Sequence, residues 1–351
     1  MKKFLFFLIL IIGFSSLLYY SLIAIYLPKH PLSYEVRIIN IEKGQGSKEI
    51  AFNLKKESLI RSEIIFRFYV LTIGVANKLQ AGTYSFTTAM NVPQIVKKLV
   101  RGDVLKEKIT IIEGWNLRDI GSYFEEKGLF KAEEVWELAG FPATDYSIEN
   151  NLAKSGTKPK DFSEEFSFLS DKPKNFGLEG YLFPDTYEIN KGENLEDSIR
   201  KILANFDRKL SSDLREEIEG QGKTIFEIIT MASLIEKEVR SLEDKKIVSG
   251  ILWKRLKNGM PLQVDATIGY ITGKNTTRIS IEETRIDSPY NTYKYKGLPS
   301  GPISNPGIES ILAALEPVAS DFWYYLSTPE GETIFSKTLK EHNLAKETYL
   351  K

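Results

Sequence analysis

Three glutamates occur in one predicted helix, residues 224–240 (TIFEIITMASLIEKEVR), and they fall on different sides of it. At about 100° per residue, Glu227 and Glu238 lie opposite the apolar stripe, where charges are normally solvated. Glu236 falls inside the stripe, at about 40° from its centre at Ala232. Burial penalises the ionised form of a carboxyl group, so Glu236 is expected to keep its proton, as a general acid must.

A buried glutamate has a second interpretation that needs no catalysis. Glu236 can instead pair with an Arg or Lys in the core, because structural ion pairs also perturb buried carboxyl groups. The pattern of this helix alone does not choose between a general acid and a buried ion pair, and both interpretations stay open at this point.

Composition restricts the chemistry that this chain can perform. Its 351 residues include no cysteine and only two histidines, and its formal net charge is zero. Disulfides, thiol catalysis and thiolate metal sites are excluded, and a histidine metal site nearly so; we therefore expect no metal and no cofactor. The charge balance favours neither nucleic acid nor a charged partner. An enzyme of this composition depends on carboxylates, hydroxyls, amides and lysines.

The N-terminal segment is long and apolar enough to cross a membrane. Phe4 to Leu27 contains no charged residue, and as a helix it spans roughly 36 Å. Lys2 and Lys3 precede it, which predicts a cytoplasmic N-terminus. A cleaved signal peptide is the alternative, but no small-residue cleavage site follows. We expect residues 1–28 to be a cytoplasmic stub and a retained single-pass anchor in the cell (inner) membrane, with the remaining chain on the outside.

Two segments repeat one pattern at an offset of 70 residues, residues 39–66 and 109–136. Each alternates apolar residues, turns at a glycine (Gly44 or Gly114) and continues at helical spacing, which predicts strand, turn and helix. Small units of this kind resemble LysM-like modules, which bind N-acetylated glycans. A small α+β packing module is the alternative. We expect a LysM-like α+β region over residues 29–136.

Residues 177–187 (GLEGYLFPDTY) predict a shaped loop, because glycines and a proline interrupt any regular element. Aromatic rings in such a loop can stack on the apolar faces of sugars, and carboxylates can accept hydrogen bonds from their hydroxyl groups. The alternative is that the aromatic side chains fill the core. The candidate sugar contacts in this loop are Glu179, Tyr181, Phe183, Asp185 and Tyr187.

Five short motifs follow one another along the chain. They are LEGYLFPDTY (178–187), ASLIEKE (232–238), LQVDATIGY (262–270), YNTY (290–293) and GLPSGPISNPG (297–307). In this order and spacing, over roughly residues 35–350, the chain resembles the endolytic murein transglycosylases (YceG-like). Ser300 stands where many members carry a proline, a departure that affects a turn and no catalytic residue.

The resemblance implies a lyase, a lytic transglycosylase that cuts peptidoglycan in cell wall biogenesis. The catalytic glutamate of the family falls on Glu236. It would protonate the glycosidic oxygen between N-acetylmuramic acid and N-acetylglucosamine and, without water, leave a 1,6-anhydro end. One carboxyl group then suffices, whereas glycoside hydrolases usually need two. By analogy with lysozyme-like transglycosylases, further substrate-binding candidates are Gln263, Tyr290 and Asn291. Asp265 and Tyr293 are candidates for lining the same groove.

The expected fold class is α+β, with an N-terminal transmembrane helix, the LysM-like region and a mixed α+β catalytic domain over residues 137–351. The catalytic glutamate lies on a helix of that domain, and residues 322–326 and 333–335 predict a terminal hairpin. Expected partners are peptidoglycan glycan strands, the lipid bilayer and peptidoglycan synthases, beside which cutting would limit the length of nascent strands.

Two alternative functions stay open. A hydrolytic muramidase would need a second carboxylate, with Asp185 and Asp265 as the candidates, and would leave reducing ends. A membrane-tethered, glycan-binding scaffold would cut no glycan, and Glu236→Gln would leave its biological activity intact.

Overall fold

A computed structural model describes most of the chain, namely residues 2–148, 156, 158–274 and 279–350. It contains many helices and small two-stranded sheets, so the predicted α+β class is confirmed. The chain divides into two compact units: unit 1 is residues 1–108 with 188–193, and unit 2 is residues 109–187 with 194–351. This division falls at positions other than those of the predicted domains.

Unit 1 begins with a long apolar helix, α1 (Lys2–Tyr26). Its side chains from Lys3 to Tyr20 are exposed, and its length and composition fit a membrane-spanning helix. Near its end, Ala24 and Ile25 are buried, and Ile25 belongs to the hydrophobic core of unit 1. The last turn of α1 is therefore part of the folded unit.

The rest of unit 1 is built from one strand pair and three helices. Strand β1 (Val36–Ile41) pairs antiparallel with β2 (Gly82–Thr87), so that Ile39 lies opposite Tyr84. The helices are α2 (Ser47–Lys56), α3 (Glu63–Thr72) and α4 (Val92–Arg101). Apolar side chains from all of these elements form one core, which includes Ile41, Leu54, Phe66, Tyr84, Phe86 and Leu99.

The predicted repeat is confirmed at the level of secondary structure. Its second copy consists of β3 (Lys106–Thr110), α5 (Leu117–Glu126) and α6 (Ala132–Ala139), in the order strand, helix, helix found for β1, α2 and α3. Gly44 and Gly114 occupy the turn after the strand with φ of +94° and +77°, a conformation that favours glycine. Strand β3 pairs with β4 (Thr186–Asn190). A glycan-binding role for this region remains a prediction.

Unit 2 is mainly helical. After α5 and α6 come a 3₁₀ turn (Ser167–Leu169), α7 (Leu195–Lys209), α8 (Ser212–Gly220), α9 (Ile225–Glu238), α10 (Leu242–Lys257), α11 (Asp265–Thr272), a second 3₁₀ turn (Glu283–Arg285), α12 (Ile308–Leu315), the strands β5 (Tyr324–Ser327) and β6 (Thr333–Ser336), and α13 (Leu339–Tyr349). β5 and β6 form the predicted terminal hairpin, with Tyr325 opposite Phe335.

Helix α9 is the central element of unit 2. Its residues 228–235 are all buried, and it packs against α10 and α12. The helix begins with a capping box, in which Thr224 Oγ1 accepts from Glu227 N at 3.1 Å and Glu227 Oε2 accepts from Thr224 N at 2.9 Å. It ends at Glu238, because Val239 is extended. Glu227 therefore caps the helix, and the last turn carries the other two glutamates.

Candidate active site

Glu236 lies in the last turn of α9, and donors occupy both oxygens of its carboxyl group. Oε2 accepts from Gly307 N at 3.0 Å and from Ser310 Oγ at 2.7 Å. Oε1 lies 3.4 Å from Lys245 Nζ, and the side chains of Glu236 and Lys245 are only 8% and 3% exposed. The structure thus gives Glu236 the buried ion pair that the sequence left open as its alternative role.

These partners come from the two helices that pack on α9. Gly307 and Ser310 belong to the start of α12, whose unpaired backbone N–H groups attract a carboxylate. Lys245 lies on α10 and also approaches Glu309, with 3.8 Å between Nζ and Oε2. The Glu236 carboxyl group therefore joins three helices. The sequence did not identify Lys245 as the basic partner of Glu236, because Lys245 lies on a separate helix.

A further carboxyl group, that of Glu113, lies next to this cluster. A Cβ atom added at Gly307 would come within 2.0 Å of Glu113 Oε1, so this oxygen packs directly on the glycine. Burial raises the pKa of Glu113, and the nearby Glu236 raises it further. The sequence offered no signal for this residue beyond its place before the turn glycine Gly114.

Glu238 is the last residue of α9 and has different surroundings. Its side chain is partly buried, and burial raises its pKa to about 7. The neighbouring Asp265 acts in the same direction, whereas a hydrogen bond with Tyr325 and the charge of Arg255 act against it. The expectation that Glu238 is solvated is wrong, because the β5–β6 hairpin brings Tyr325 against it.

Two predicted motifs meet beside Glu238. The Gln263 N–H donates to Thr292 O at 3.1 Å, and the Val264 N–H donates to Thr292 Oγ1 at 3.0 Å. These bonds fix the turn before α11 to the YNTY segment, and the Tyr293 hydroxyl donates to Asp265 Oδ1. The structure therefore brings Asp265 and Tyr293 together; Asp265 raises the pKa of Glu238, and Glu238 raises that of Tyr293.

Gln263 has an unusual backbone conformation. Its φ is +53°, in the left-handed region that a residue with a side chain rarely adopts. Gln263 and Asp265 are both exposed, and one oxygen of Asp265 accepts from the Tyr293 hydroxyl. Backbone strain of this kind persists where the surrounding structure enforces it, often at binding sites. The observation supports the predicted substrate-binding role of this segment, which remains a prediction.

The aromatic residues of the predicted loop lie mainly in the core. Tyr181 is fully buried against Phe168 and Phe206, and Phe183 packs on the same Phe206 ring. Tyr187 is 8% exposed and donates its hydroxyl to Phe183 O at 2.6 Å. These positions match the alternative that the rings fill the core, and direct stacking on sugar by them stays an untested prediction.

The remaining candidates also have protein partners. Asp185 Oδ2 accepts from Asn205 Nδ2 at 3.0 Å and lies 3.6 Å from Lys209 Nζ. Tyr290 is buried against the Tyr270 ring, with 5.1 Å between centroids. Asn291 is 1% exposed, and its Nδ2 donates to Thr284 O and Ile286 O at 3.0 and 2.8 Å. The structure thus does not bring these side chains to Glu238 as free ligand-binding groups.

Glu179 is a further buried carboxyl group of unit 2. Its oxygens accept from Leu117 N at 3.1 and 3.2 Å, from Tyr270 Oη at 3.0 Å and from Asn305 Nδ2 at 3.3 Å. Burial nevertheless raises the pKa of Glu179 to about 8. This residue ties the start of α5 to α11 and the Gly/Pro-rich motif.

The raised pKa of Glu179 predicts a pH-dependent stability. The unfolded carboxyl group ionises near pH 4.3, whereas the folded one keeps its proton up to about pH 8. Stability from this group is therefore full below about pH 4.3 and is lost as the pH rises toward 8. Urea unfolding at pH 5.5 and 7.5 should show a loss of roughly 1 kcal/mol per pH unit in the wild type relative to Glu179→Gln. Equal pH slopes in the two proteins would contradict the prediction.

Within the described part of the chain, no group of three or more metal-binding side chains occurs. The last turn of α9 carries two carboxyl groups, those of Glu236 and Glu238. One carboxyl group is held in an ion pair, and the other is partly buried with a pKa near neutrality.

A family model matches most of the chain. Residues 39–348 match the model of the YceG-like family, and the chain belongs to that family.

Curated relatives and a solved structure agree with this family. An endolytic murein transglycosylase of Bacillus subtilis is 37% identical over 314 residues, covering 89% of this chain and 84% of that protein. One of Streptococcus pneumoniae is 31% identical over 318 residues, covering 87% of this chain and 57% of the longer relative. A crystal structure of a yceG-like protein from Listeria monocytogenes, 32% identical, covers 90% of this chain and all of its own with a TM-score of 0.58.

Proposed function

We propose that this chain is a membrane-anchored endolytic murein transglycosylase that cuts peptidoglycan strands without water. The observation that carries the proposal is the partly buried Glu238 carboxyl group, with a pKa of about 7, beside Asp265 and Tyr293. The activity named for relatives at 37% and 31% identity supports the same reaction class. The bond cut is the one between N-acetylmuramic acid and N-acetylglucosamine, and the product carries a 1,6-anhydro end.

We propose Glu238 as the general acid and keep Glu236 as the second candidate in the same turn. A general acid needs a proton near neutral pH and an oxygen that can reach the substrate. Glu236, the residue that the family resemblance indicated, has both oxygens engaged by Lys245, Gly307 and Ser310. Glu238 has the raised pKa; its carboxyl group is hydrogen-bonded with Tyr325, and Asp265, an exposed residue of one family motif, raises the same pKa. The sequence-based assignment of the general acid to Glu236 remains a prediction. The variants Glu236→Gln and Glu238→Gln test the two assignments.

The proposed reaction uses one carboxyl group twice. Protonated Glu238 donates to the glycosidic oxygen, the bond to the anomeric carbon breaks, and the N-acetyl group of the muramic acid relieves the positive charge that develops there. The Glu238 carboxylate then takes the proton of the C6 hydroxyl of the same sugar. The C6 oxygen bonds to the anomeric carbon, which closes the 1,6-anhydro ring and returns the proton to Glu238.

Asp265 and Tyr293 position the acid and the sugar in this scheme. The negative charge of Asp265 helps to keep the proton on Glu238. The Tyr293 hydroxyl donates to Asp265 and holds that carboxylate in place. Gln263, exposed next to them, offers an amide that can bond to sugar hydroxyl and N-acetyl groups.

A hydrolytic muramidase is the second candidate function, and one observation favours it. Asp265 supplies a second carboxyl group near Glu238, as glycoside hydrolysis usually requires. Asp185, the other candidate, bonds to Asn205 and approaches Lys209 instead. A hydrolase would activate water with Asp265 and leave a reducing end in place of the anhydro ring.

Mass spectrometry of digested glycan strands tests the proposed function. The full-length protein in detergent, with α1 retained because Ile25 lies in the core of unit 1, is incubated with purified strands. We expect 1,6-anhydro-ended fragments and no uptake of ¹⁸O from labelled water. Reducing ends that carry ¹⁸O would establish that the protein is a hydrolytic muramidase. Uncut strands would leave the glycan-binding scaffold as the remaining candidate function.

The cellular setting follows from the N-terminal helix. We place α1 across the cell membrane with the N-terminus in the cytoplasm and both units on the outside, where peptidoglycan lies. The LysM-like region would bind glycan there. Peptidoglycan synthases in the same membrane are the proposed partners, and cutting beside them would limit the length of new strands.

A further inference from the structure

Helix α3 is apolar on the side that faces away from the core. Ile64, Phe68 and Leu71, spaced i, i+4 and i+7, are 78%, 64% and 60% exposed. We call these three side chains the outer face of α3. On the opposite side, Phe66 and Val70 are fully buried in unit 1. A helix that is apolar on both sides needs a second apolar environment for its outer face.

The end of α1 lies against this helix. The two helices pack together, and just before α3 Arg61 Nη2 donates to Pro28 O at 2.8 Å. Near the other end of α3, burial raises the pKa of Tyr69 and the nearby Tyr26 raises it further. A residue just before α3 and one in its last turn therefore lie near residues 26–28, where the chain leaves the apolar helix.

The end of α1 is packed into the rest of unit 1. Ile25 lies in the core, and Asn91 Nδ2 donates to Tyr26 O at 3.2 Å. The segment that leaves α1 also exposes Leu32 and Tyr34, at 95% and 77%. If α1 spans a bilayer, no flexible linker holds unit 1 away from the lipid surface.

The charges of α3 suit a lipid surface better than water. Its one acidic residue, Glu63, is paired with Lys55, with 3.0 Å between Nζ and Oε1. The exposed Arg67 flanks the outer face, where a long basic side chain can reach phosphate headgroups while its neighbours enter the acyl region.

We propose that the outer face of α3 inserts into the outer surface of the lipid bilayer beside α1, as a second membrane contact of unit 1. The inference rests on the proposed membrane-spanning role of α1. The occupant of the outer face is lipid, and a second copy of this chain is the competing occupant.

Depth measurement with spin labels tests this contact, and the absence of native cysteines permits single labelled sites. Full-length Phe68→Cys carries a nitroxide in vesicles of phosphatidylglycerol and phosphatidylethanolamine. Lys43→Cys, in the exposed turn after β1, is the water-facing control, and Leu10→Cys in α1 is the lipid control. We expect the ratio of oxygen to nickel-complex accessibility at position 68 to be several-fold above that at position 43 and to approach that at position 10.

Each other outcome overturns the proposal in a recognisable way. Equal ratios at positions 68 and 43 would mean that the outer face lies in water. Shielding from both reagents, with dipolar broadening between labelled copies, would assign the face to a second copy. A water-like ratio at position 10 would show that α1 does not lie in the bilayer. Glycan cutting by the same labelled proteins, measured in parallel, keeps a failure of the lipid contact separate from a failure of the proposed enzyme.

Discussion

Glu238→Gln is expected to reduce the cutting of glycan strands by about 100-fold or more, because a general acid contributes roughly 10²–10⁴ to rate. Glutamine keeps the shape of the side chain and lacks the acidic proton. The rate of anhydro-end formation by full-length protein measures the effect. In the wild type, burial raises the pKa of Glu238 to about 7. The proton is present below that pH and lost above it, so activity should fall about tenfold per pH unit at higher pH.

Glu236→Gln is the matched control, two residues away on the same helix. It replaces a carboxyl group held by Lys245, Gly307 and Ser310, so we expect it to lower the melting temperature while cutting persists in the protein that stays folded. Thermal unfolding of both variants separates lost catalysis from lost structure. Loss of cutting by a stably folded Glu236→Gln, with Glu238→Gln active, would reverse the assignment and support the sequence-based prediction.

Lys245→Met is expected to destabilise unit 2 by about 3–5 kcal/mol, because it leaves the buried Glu236 without its basic partner. Methionine approximates the length and volume of the lysine stem, so the main loss is the charge. The double variant Glu236→Gln with Lys245→Met removes both charges and should recover most of that stability. Denaturant unfolding of the three proteins measures the coupling.

Lys246→Met is the control for this comparison, since Lys246 follows Lys245 on α10 and also forms an ion pair. Its Nζ lies 2.6 Å from Glu316 Oε2, but the two side chains are 28% and 46% exposed. An exposed pair contributes about 0–1 kcal/mol, so this variant should unfold almost like the wild type. An equal decrease in the free energy of unfolding for the two lysine variants would contradict the expectation that a buried ion pair costs more to break than an exposed one.

The sequence predicted the elements better than the surroundings of their side chains. Helical spacing located α9, and the offset of 70 residues located both copies of the strand–helix repeat. These signals are local, because turn glycines and apolar periodicity act within a few residues. The terminal hairpin followed from the same kind of local pattern.

The helical wheel failed at Glu238 for a physical reason. A wheel assumes one buried side and one solvated side, whereas α9 is covered on several sides by elements distant in sequence. The hairpin brings Tyr325 against Glu238, and α10 brings Lys245 to Glu236. Neither neighbour can be inferred from the spacing within residues 224–240. The wheel detected a buried carboxyl group, but it could not tell an ion pair from an acid.

The aromatic loop had a similar ambiguity. Tyr181 and Phe183 are residue types that stack on sugars and equally types that fill cores. In the structure both rings contact Phe206, and Tyr181 also contacts Phe168; these partners come from α7 and the 3₁₀ turn. Composition alone does not reveal such long-range contacts.

The burial of Ala24 and Ile25 affects how the protein is made. The last turn of α1 is both the end of the apolar helix and part of the core of unit 1. In a chain anchored as proposed, unit 1 can complete its core only after the nascent chain has been inserted and this turn has emerged from the bilayer. A protease that removed residues 1–28 would take two core side chains with it. Release from the membrane and loss of the fold of unit 1 would then be one event.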